Sequence, residues 1–191
     1  MMSKSHDPGS RHGVPWRIVG WSIPALLLLL PLVSGAPWTL SDFVTAGAMF
    51  IAAGLGIELA LHSSRDLSYR AGAGAAVAAT FLLVWVNIGV GFLGNEDNPA
   101  NLIFGAVLAV ALIGAFLAHF RAAGMARAMY TTAAFQVVVG VVALAAGWAA
   151  PGRAGIYEVV MGTSLFAGLW LASAWLFAQS ARGQTSAGPS A

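Results

Sequence analysis

Six apolar blocks separated by short polar segments run along the chain, at about 18–34, 43–61, 72–93, 102–118, 129–148 and 159–178. Each is close to the roughly 20 residues that carry an α-helix across a hydrocarbon core. The blocks are continuous rather than alternating, and a backbone in lipid must close its own hydrogen bonds. The pattern therefore predicts helices and not barrel strands. The expected fold is all-α, a polytopic six-transmembrane-helix bundle with short loops over 16–179, with an arm at 1–15 and a tail at 180–191. The arm and tail are rich in Ser, Gly and Pro and lack apolar periodicity, which predicts flexible segments. No internal loop is long enough to hold a soluble catalytic module. The first block has a second reading. Arg11 and Arg17 precede a leucine run, and Ser34, Gly35 and Ala36 resemble a small-residue cleavage site, so 1–36 could be a signal peptide. Pro37, disfavoured at the first mature position, weighs toward a retained helix.

Composition sharpens this picture. Hydrophobic residues make up 59% of the chain, charged residues only 8%, and the mean hydropathy is +0.80. Soluble domains carry roughly 25% charged residues, so the expected surroundings are a lipid bilayer. Cysteine is absent, which excludes disulfides, thiolate metal sites and thiol nucleophiles. Lysines and arginines come singly or in spaced pairs, and the net charge of +2 gives nucleic acid no basic stripe. The motifs G-x-S-x-G, H-E-x-x-H and the phosphate-binding loop do not occur, so no enzymatic activity and no cofactor are expected.

Charge also predicts orientation, because Lys and Arg in short loops stay on the cytoplasmic side. Lys4, Arg11, Arg17, Arg65, Arg70, Arg121, Arg127 and Arg182 fall on one side of the expected topology, and only Arg153 on the other, with Asp42, Glu96, Asp97 and Glu158. Both termini are thereby expected in the cytoplasm. Trp16, Trp38, Trp148, Tyr157 and Trp175 lie near block ends, where amphipathic rings prefer the headgroup layer. Gly72 with Ala76, and Gly47, Gly54 and Gly56, read as close-packing helix surfaces. Pro24 and Pro31 are expected to bend the first helix. His62 and Arg70 recur as His119 and Arg127 at an offset of 57, which suggests a duplicated helical hairpin.

The polar residues within the blocks are the candidates for chemistry. Glu58 costs about 2.5–3.5 kcal/mol at a bilayer centre, so it reads as a proton-relay or cation site, or as a locally satisfied pair with His62 one turn on. His62 and His119 close the second and fourth blocks at similar depth and form a haem-ligand pair in principle, although helix C-termini favour histidine anyway. Asn87 and Gln136, the latter near Thr131 and Thr132, read as interhelical hydrogen-bonding groups or as solute contacts. Between the third and fourth blocks lies GNEDNPAN. Gly94 is expected to end the third helix, with Asn98 and Pro99 starting the fourth. Asn95, Glu96, Asp97 and Asn101 remain as a denser acid and amide group than a turn requires, and Glu96 with Asp97 form an outward cation-site candidate.

The stretch WVNIGVGFLGNEDNPANLIFG, with six blocks and the later FRAAGMARAM turn, resembles a group of small six-span bacterial inner-membrane proteins of uncharacterised activity. The resemblance implies a bacterial multi-pass membrane protein and carries no catalytic role to any residue. The function expected is that of a non-enzymatic accessory or structural subunit, with another membrane protein or a second copy as partner. The alternatives are a small transporter or channel for protons, cations or a small solute, and a haem or quinone redox subunit.

Overall fold

The structure, a computed structural model, describes residues 16–186; the arm at 1–15, with Lys4 and Arg11, and the last tail residues at 187–191 lie outside the described residues. The described residues form helices joined by turns, without strands. The order is α1 (Trp16–Ser34), α2 (Leu40–Ser63), α3 (Leu67–Gly89), a 3₁₀ turn (Pro99–Leu102), α4 (Ile103–Leu117), α5 (Ala122–Ala145) and α6 (Arg153–Ser186). Five helices are long and apolar enough to cross a membrane: Leu40–Ser63, Leu67–Gly89, Pro99–Leu117, Ala122–Ala145 and Arg153–Thr185. The apolar part of α1, Gly20–Ser34, is shorter, about 22 Å at 1.5 Å per residue against a core of about 30 Å. Two compact units divide after Gly54, inside α2.

In the first unit α1 runs unbroken through Pro24 and Pro31. It closes on Gly35 (φ +68°), which lets the Ala36 N–H donate back to the Pro31 carbonyl at 3.0 Å. Thr39 and Asp42 then start α2 as a reciprocal cap. The Asp42 carboxylate accepts from the Thr39 N–H (2.7 Å) and hydroxyl (2.8 Å). Gly47 faces Leu28, and Gly54 lies under the Trp21 ring, so these two glycines do form the packing surface expected of them.

The second unit is built on α6, which packs against α3 and α5, with α4 packed against α5 and touching α3. Small residues set these distances. A Cβ on Gly140 of α5 would strike Thr163 of α6, one on Gly72 of α3 would lie 3.2 Å from the Ser173 carbonyl, and one on Gly114 of α4 would lie 2.8 Å from the Ala128 Cβ. The Ser173 hydroxyl closes the α3–α6 seam by donating to the Gly72 carbonyl at 2.7 Å. Large rings fill the remaining space: Trp170, Phe104 and Phe177 are sealed, and Tyr69 meets Phe177 edge-on at 5.0 Å. Trp148 is also turned inward against this core, whereas Tyr157 and Trp175 project from the surface.

Several boundaries differ from the sequence expectation: α5 starts at Ala122 rather than near 129, so that most of FRAAGMARAM is helix and not turn, and α6 starts at Arg153 rather than near 159. Helix α3 stops at Gly89 rather than near 93, and the terminating glycine is Gly91 (φ +78°), whose N–H reaches the Val86 carbonyl at 2.9 Å. Gly94 is left-handed too, but it lies inside the following loop. Phe92 and Leu93 therefore belong to that loop, where both are buried, Phe92 at 4.3 Å from Phe104 and 5.8 Å from Phe166. At the other extreme α6 continues beyond 179 to Ser186, because Ser180 and Ala181 still pack against the bundle instead of entering a tail.

The α4–α5 turn is strained. His119 (φ +48°) stands where a helix ending of this kind ordinarily uses glycine: its N–H donates to the Phe116 carbonyl at 2.9 Å, and the Phe120 N–H donates to the Ala115 carbonyl at 3.3 Å. Phe120 (φ +55°) is left-handed as well, and its carbonyl is held by the Tyr69 hydroxyl at 2.6 Å. A left-handed residue with a side chain costs ~1–2 kcal/mol. His119→Gly is accordingly expected to raise stability by about 0.5–1 kcal/mol after glycine's extra chain entropy is subtracted. Tyr69→Phe is expected to lower it by about 1–2 kcal/mol, by freeing a carbonyl that holds the turn. Thermal unfolding of the three chains side by side in one detergent checks both signs.

Candidate functional site

The unit has two polar ends. One carries Arg65 and Arg121 in the α2–α3 and α4–α5 turns and Arg70 in the first turn of α3; the other carries the Asn98 loop and the α5–α6 turn.

At the Asn98 end the amides are engaged with backbone. Asn98 caps the 3₁₀ turn, its Oδ1 accepting from the Ala100 N–H at 3.0 Å. Its Nδ2 donates to the Leu93 carbonyl at 2.7 Å and reaches the Trp148 carbonyl at 3.4 Å. Asn101, buried, spans the loop: Oδ1 accepts from the Leu93 N–H and Nδ2 donates to the Asn95 carbonyl, each at 2.7 Å. Asn101 is thus part of the turn itself, which departs from the expectation that capping leaves it over. The loop needs it because α3 stops early and leaves Leu93 buried with its backbone to satisfy. Glu96 and Asp97 point outward, and among the described residues no three His, Cys, Asp or Glu side chains gather to hold a metal ion.

Near the arginine end, Glu58 is half-buried on α2. The His62 ring bonds it through Nδ1 to the Glu58 backbone carbonyl at 2.8 Å, not through the carboxylate contact expected from the spacing. Arg70 closes the same helix end, donating to the carbonyls of Ser64 (2.8 Å) and Leu61 (3.2 Å), which are orphaned there. His119 is exposed, with Nδ1 3.1 Å from the Leu117 carbonyl. It lines an open cleft with Ser63, Ser64, Tyr69 and Arg121, and His62 is not among the residues of that cleft. A second cleft contains Asp66, Ser68, Ser180 and Arg182. Asp66 caps α3, accepting from the Ser68 N–H at 3.3 Å; the nearby Ser180 hydroxyl, which lies outside hydrogen-bond geometry, and the first N–H groups of the helix hold its carboxyl below the usual carboxylate range. A depressed acid adds stability above its unfolded pKa, so this cap weakens as pH falls through the lowered value.

Three of the mid-bundle polar side chains bond back to their own helices. The Asn87 Nδ2 donates to the Leu83 carbonyl of its own helix at 2.7 Å, which leaves Oδ1 buried and unpartnered. Thr131 and Thr132 likewise bond back within α5, to Arg127 (3.0 Å) and Ala128 (2.9 Å). Gln136 is sealed, and neither of its amide atoms has a partner. Sequence reasoning passed over Thr163, Trp170, Ser173 and Ser180 of α6. Their spacing of 163, 170, 173 and 180, interleaved with Phe166 and Phe177, is the seven-residue rhythm of a buried seam, and it was there to be read.

These contacts separate the amides from the acids. Asn101→Ala is expected to destabilise the protein by about 1–3 kcal/mol, since it leaves the buried Leu93 N–H unpaired and the Asn95 carbonyl with only the Asn98 N–H as donor. Gly91→Ala is expected to do at least as much harm, because its Cβ would fall on the Asn95 and Glu96 backbone. The double substitution Glu96→Gln with Asp97→Asn is expected to change stability by less than about 0.5 kcal/mol. Unfolding midpoints of the purified variants give the comparison. No family model, no curated protein and no solved structure matches this chain.

Proposed function

We propose that the chain is a six-span protein of the bacterial inner membrane, both termini cytoplasmic, which serves as a non-enzymatic accessory or structural subunit. The observation that carries this reading is the use made of polar side chains. Asn98, Asn101, Arg70, Tyr69 and Ser173 are all engaged in satisfying backbone at helix ends and seams. Glu58, Asn87 and Gln136 stand on three different helices, α2, α3 and α5, and the clefts at the arginine end are lined by other residues. A transporter or channel would need those three groups around one wet passage. Long apolar side chains such as Leu26, Leu30, Val44, Leu112 and Leu165 are exposed, which suits contact with lipid chains or with a partner's helices. The arginine split supports an outer-side position for the Asn98 loop.

Three measurements on the full chain test this. A tag in the 95–98 turn is expected to react only with reagent supplied from outside, and reaction only from the cytosolic side refutes the topology. Proteoliposomes are expected to show no proton or cation flux above empty vesicles, with a membrane protein or a second copy retained through purification in mild detergent. Flux that Glu58→Gln abolishes would replace the subunit reading with the transporter.

A further inference from the structure

Gln136 and Trp170 are both fully sealed, yet neither amide atom of Gln136 nor the indole Nε1 of Trp170 has a hydrogen-bond partner in the protein. Register brings them together. Gly140 of α5 directly faces Thr163 of α6, and the two helices run antiparallel through the short turn that joins them. Gln136 lies about 6 Å from Gly140 toward the arginine end, and Trp170 about 10.5 Å from Thr163 in the same direction, so their levels differ by about 4.5 Å. Helical side chains lean toward their own N-terminus. Gln136 therefore leans toward the arginine end and Trp170 leans back toward the Asn98 end, which closes that gap.

We propose that Gln136 and Trp170 bind internal water between α5 and α6. The indole can only donate, while the amide both donates and accepts. A water accepting from Trp170 Nε1–H and donating to Gln136 Oε1 pairs two of the three atoms, and a second water accepting from Gln136 Nε2–H pairs the third. The first water's other hydrogen suits the hydroxyl oxygen of Thr132, one turn along α5, whose own proton goes to the Ala128 carbonyl. An ion fits poorly, because none of the buried polar side chains among the described residues is charged, and an ion there would have no counter-charge. An apolar ligand would leave all three atoms unpaired. The inference rests on helix packing alone and stands or falls separately from the proposed subunit role.

The test uses the full chain in nanodiscs with ¹⁵N-labelled tryptophan, the Trp170 indole signal being assigned by its loss in Trp170→Phe. A magnetisation-transfer cross-peak between the Trp170 indole proton and water is expected. It is expected to vanish in Gln136→Met while the indole signal itself remains. Absence of the cross-peak in the natural chain overturns the proposal, and that is also what a direct bond from Trp170 to Gln136 would give. In the same nanodiscs Gln136→Met is expected to lower the unfolding midpoint by about 2–6 °C. A rise would mean that a dry, unpaired amide had been relieved, and it overturns the proposal as well. Should Gln136→Met fail to fold, the cross-peak in the natural chain still decides.

Discussion

Where a helix ends, its last four carbonyls lose their partners, and those turned toward the packed interior must find them in side chains or backbone. The ways in which this chain supplies those partners organise the second unit. Arg70 reaches back from α3 to close α2. Tyr69, one residue earlier, reaches across to Phe120 and pins the end of α4. The first turn of α3 therefore fixes two helix endings that are far apart in sequence. At the opposite end, Asn98 ties the α3–α4 loop to the Trp148 carbonyl, just past the end of α5. Helix α5 itself closes on Gly147 (φ +69°), with the Trp148 N–H on the Ala143 carbonyl at 3.0 Å. A handful of side chains thus closes the helix ends, and two of them, Tyr69 and Asn98, also tie together segments that are far apart in sequence.

Between the ends, cohesion comes from close approach. Under the membrane reading proposed above, lipid tails are as apolar as leucine, so burying leucine between helices contributes little; what distinguishes a helix contact from a lipid contact is packing distance and hydrogen bonding. The seams meet that requirement. Gly114 and Gly140 each bring a neighbouring helix close enough that a methyl group would collide, Gly72 leaves room for one only in tight contact at 3.2 Å, and there the Ser173 hydroxyl converts the approach into a hydrogen bond. The sealed aromatic rings on α6, Phe166, Trp170 and Phe177, fill the spaces between those contacts and hold α3 and α5 apart at fixed distances.

Apolar periodicity revealed the helices because each block exceeds the length that any turn would tolerate. It was least informative at the two ends where side chains act on backbone. The residues after 89 look like more helix, since Val90, Phe92 and Leu93 are apolar; only the glycines at 89 and 91 betray the early stop. Once α3 stops there, Leu93 is left with an N–H and a carbonyl to satisfy, and Asn101 and Asn98 become necessary for a reason that no local pattern displays. The helical extension through Ser180 was hidden for the opposite reason. Its sequence is polar and small, and it is ordered by what it packs against, not by its own propensity. The spacing of Glu58 and His62 correctly placed them one turn apart, but it could not tell a carboxylate from the backbone carbonyl of the same residue as the ring's partner.

Asn101 and Gln136 carry the same functional group, both are buried, and they make opposite statements. The Asn101 amide has a donor and an acceptor placed against it at 2.7 Å each, so its burial removes two backbone debts. The Gln136 amide removes none, and an unpaired buried polar group costs about 1–3 kcal/mol where an aliphatic side chain of the same size costs nothing. Two such groups on facing turns of packed helices double the cost if they are dry and cancel much of it if they share a small ligand. The same arithmetic separates this seam from a transport path. A passage must keep its polar groups wet along its whole length, whereas here Phe166 and Phe177 are sealed above and below Trp170. Water held at that level would be a resident of the fold, linking α5 to α6 much as Ser173 links α6 to α3.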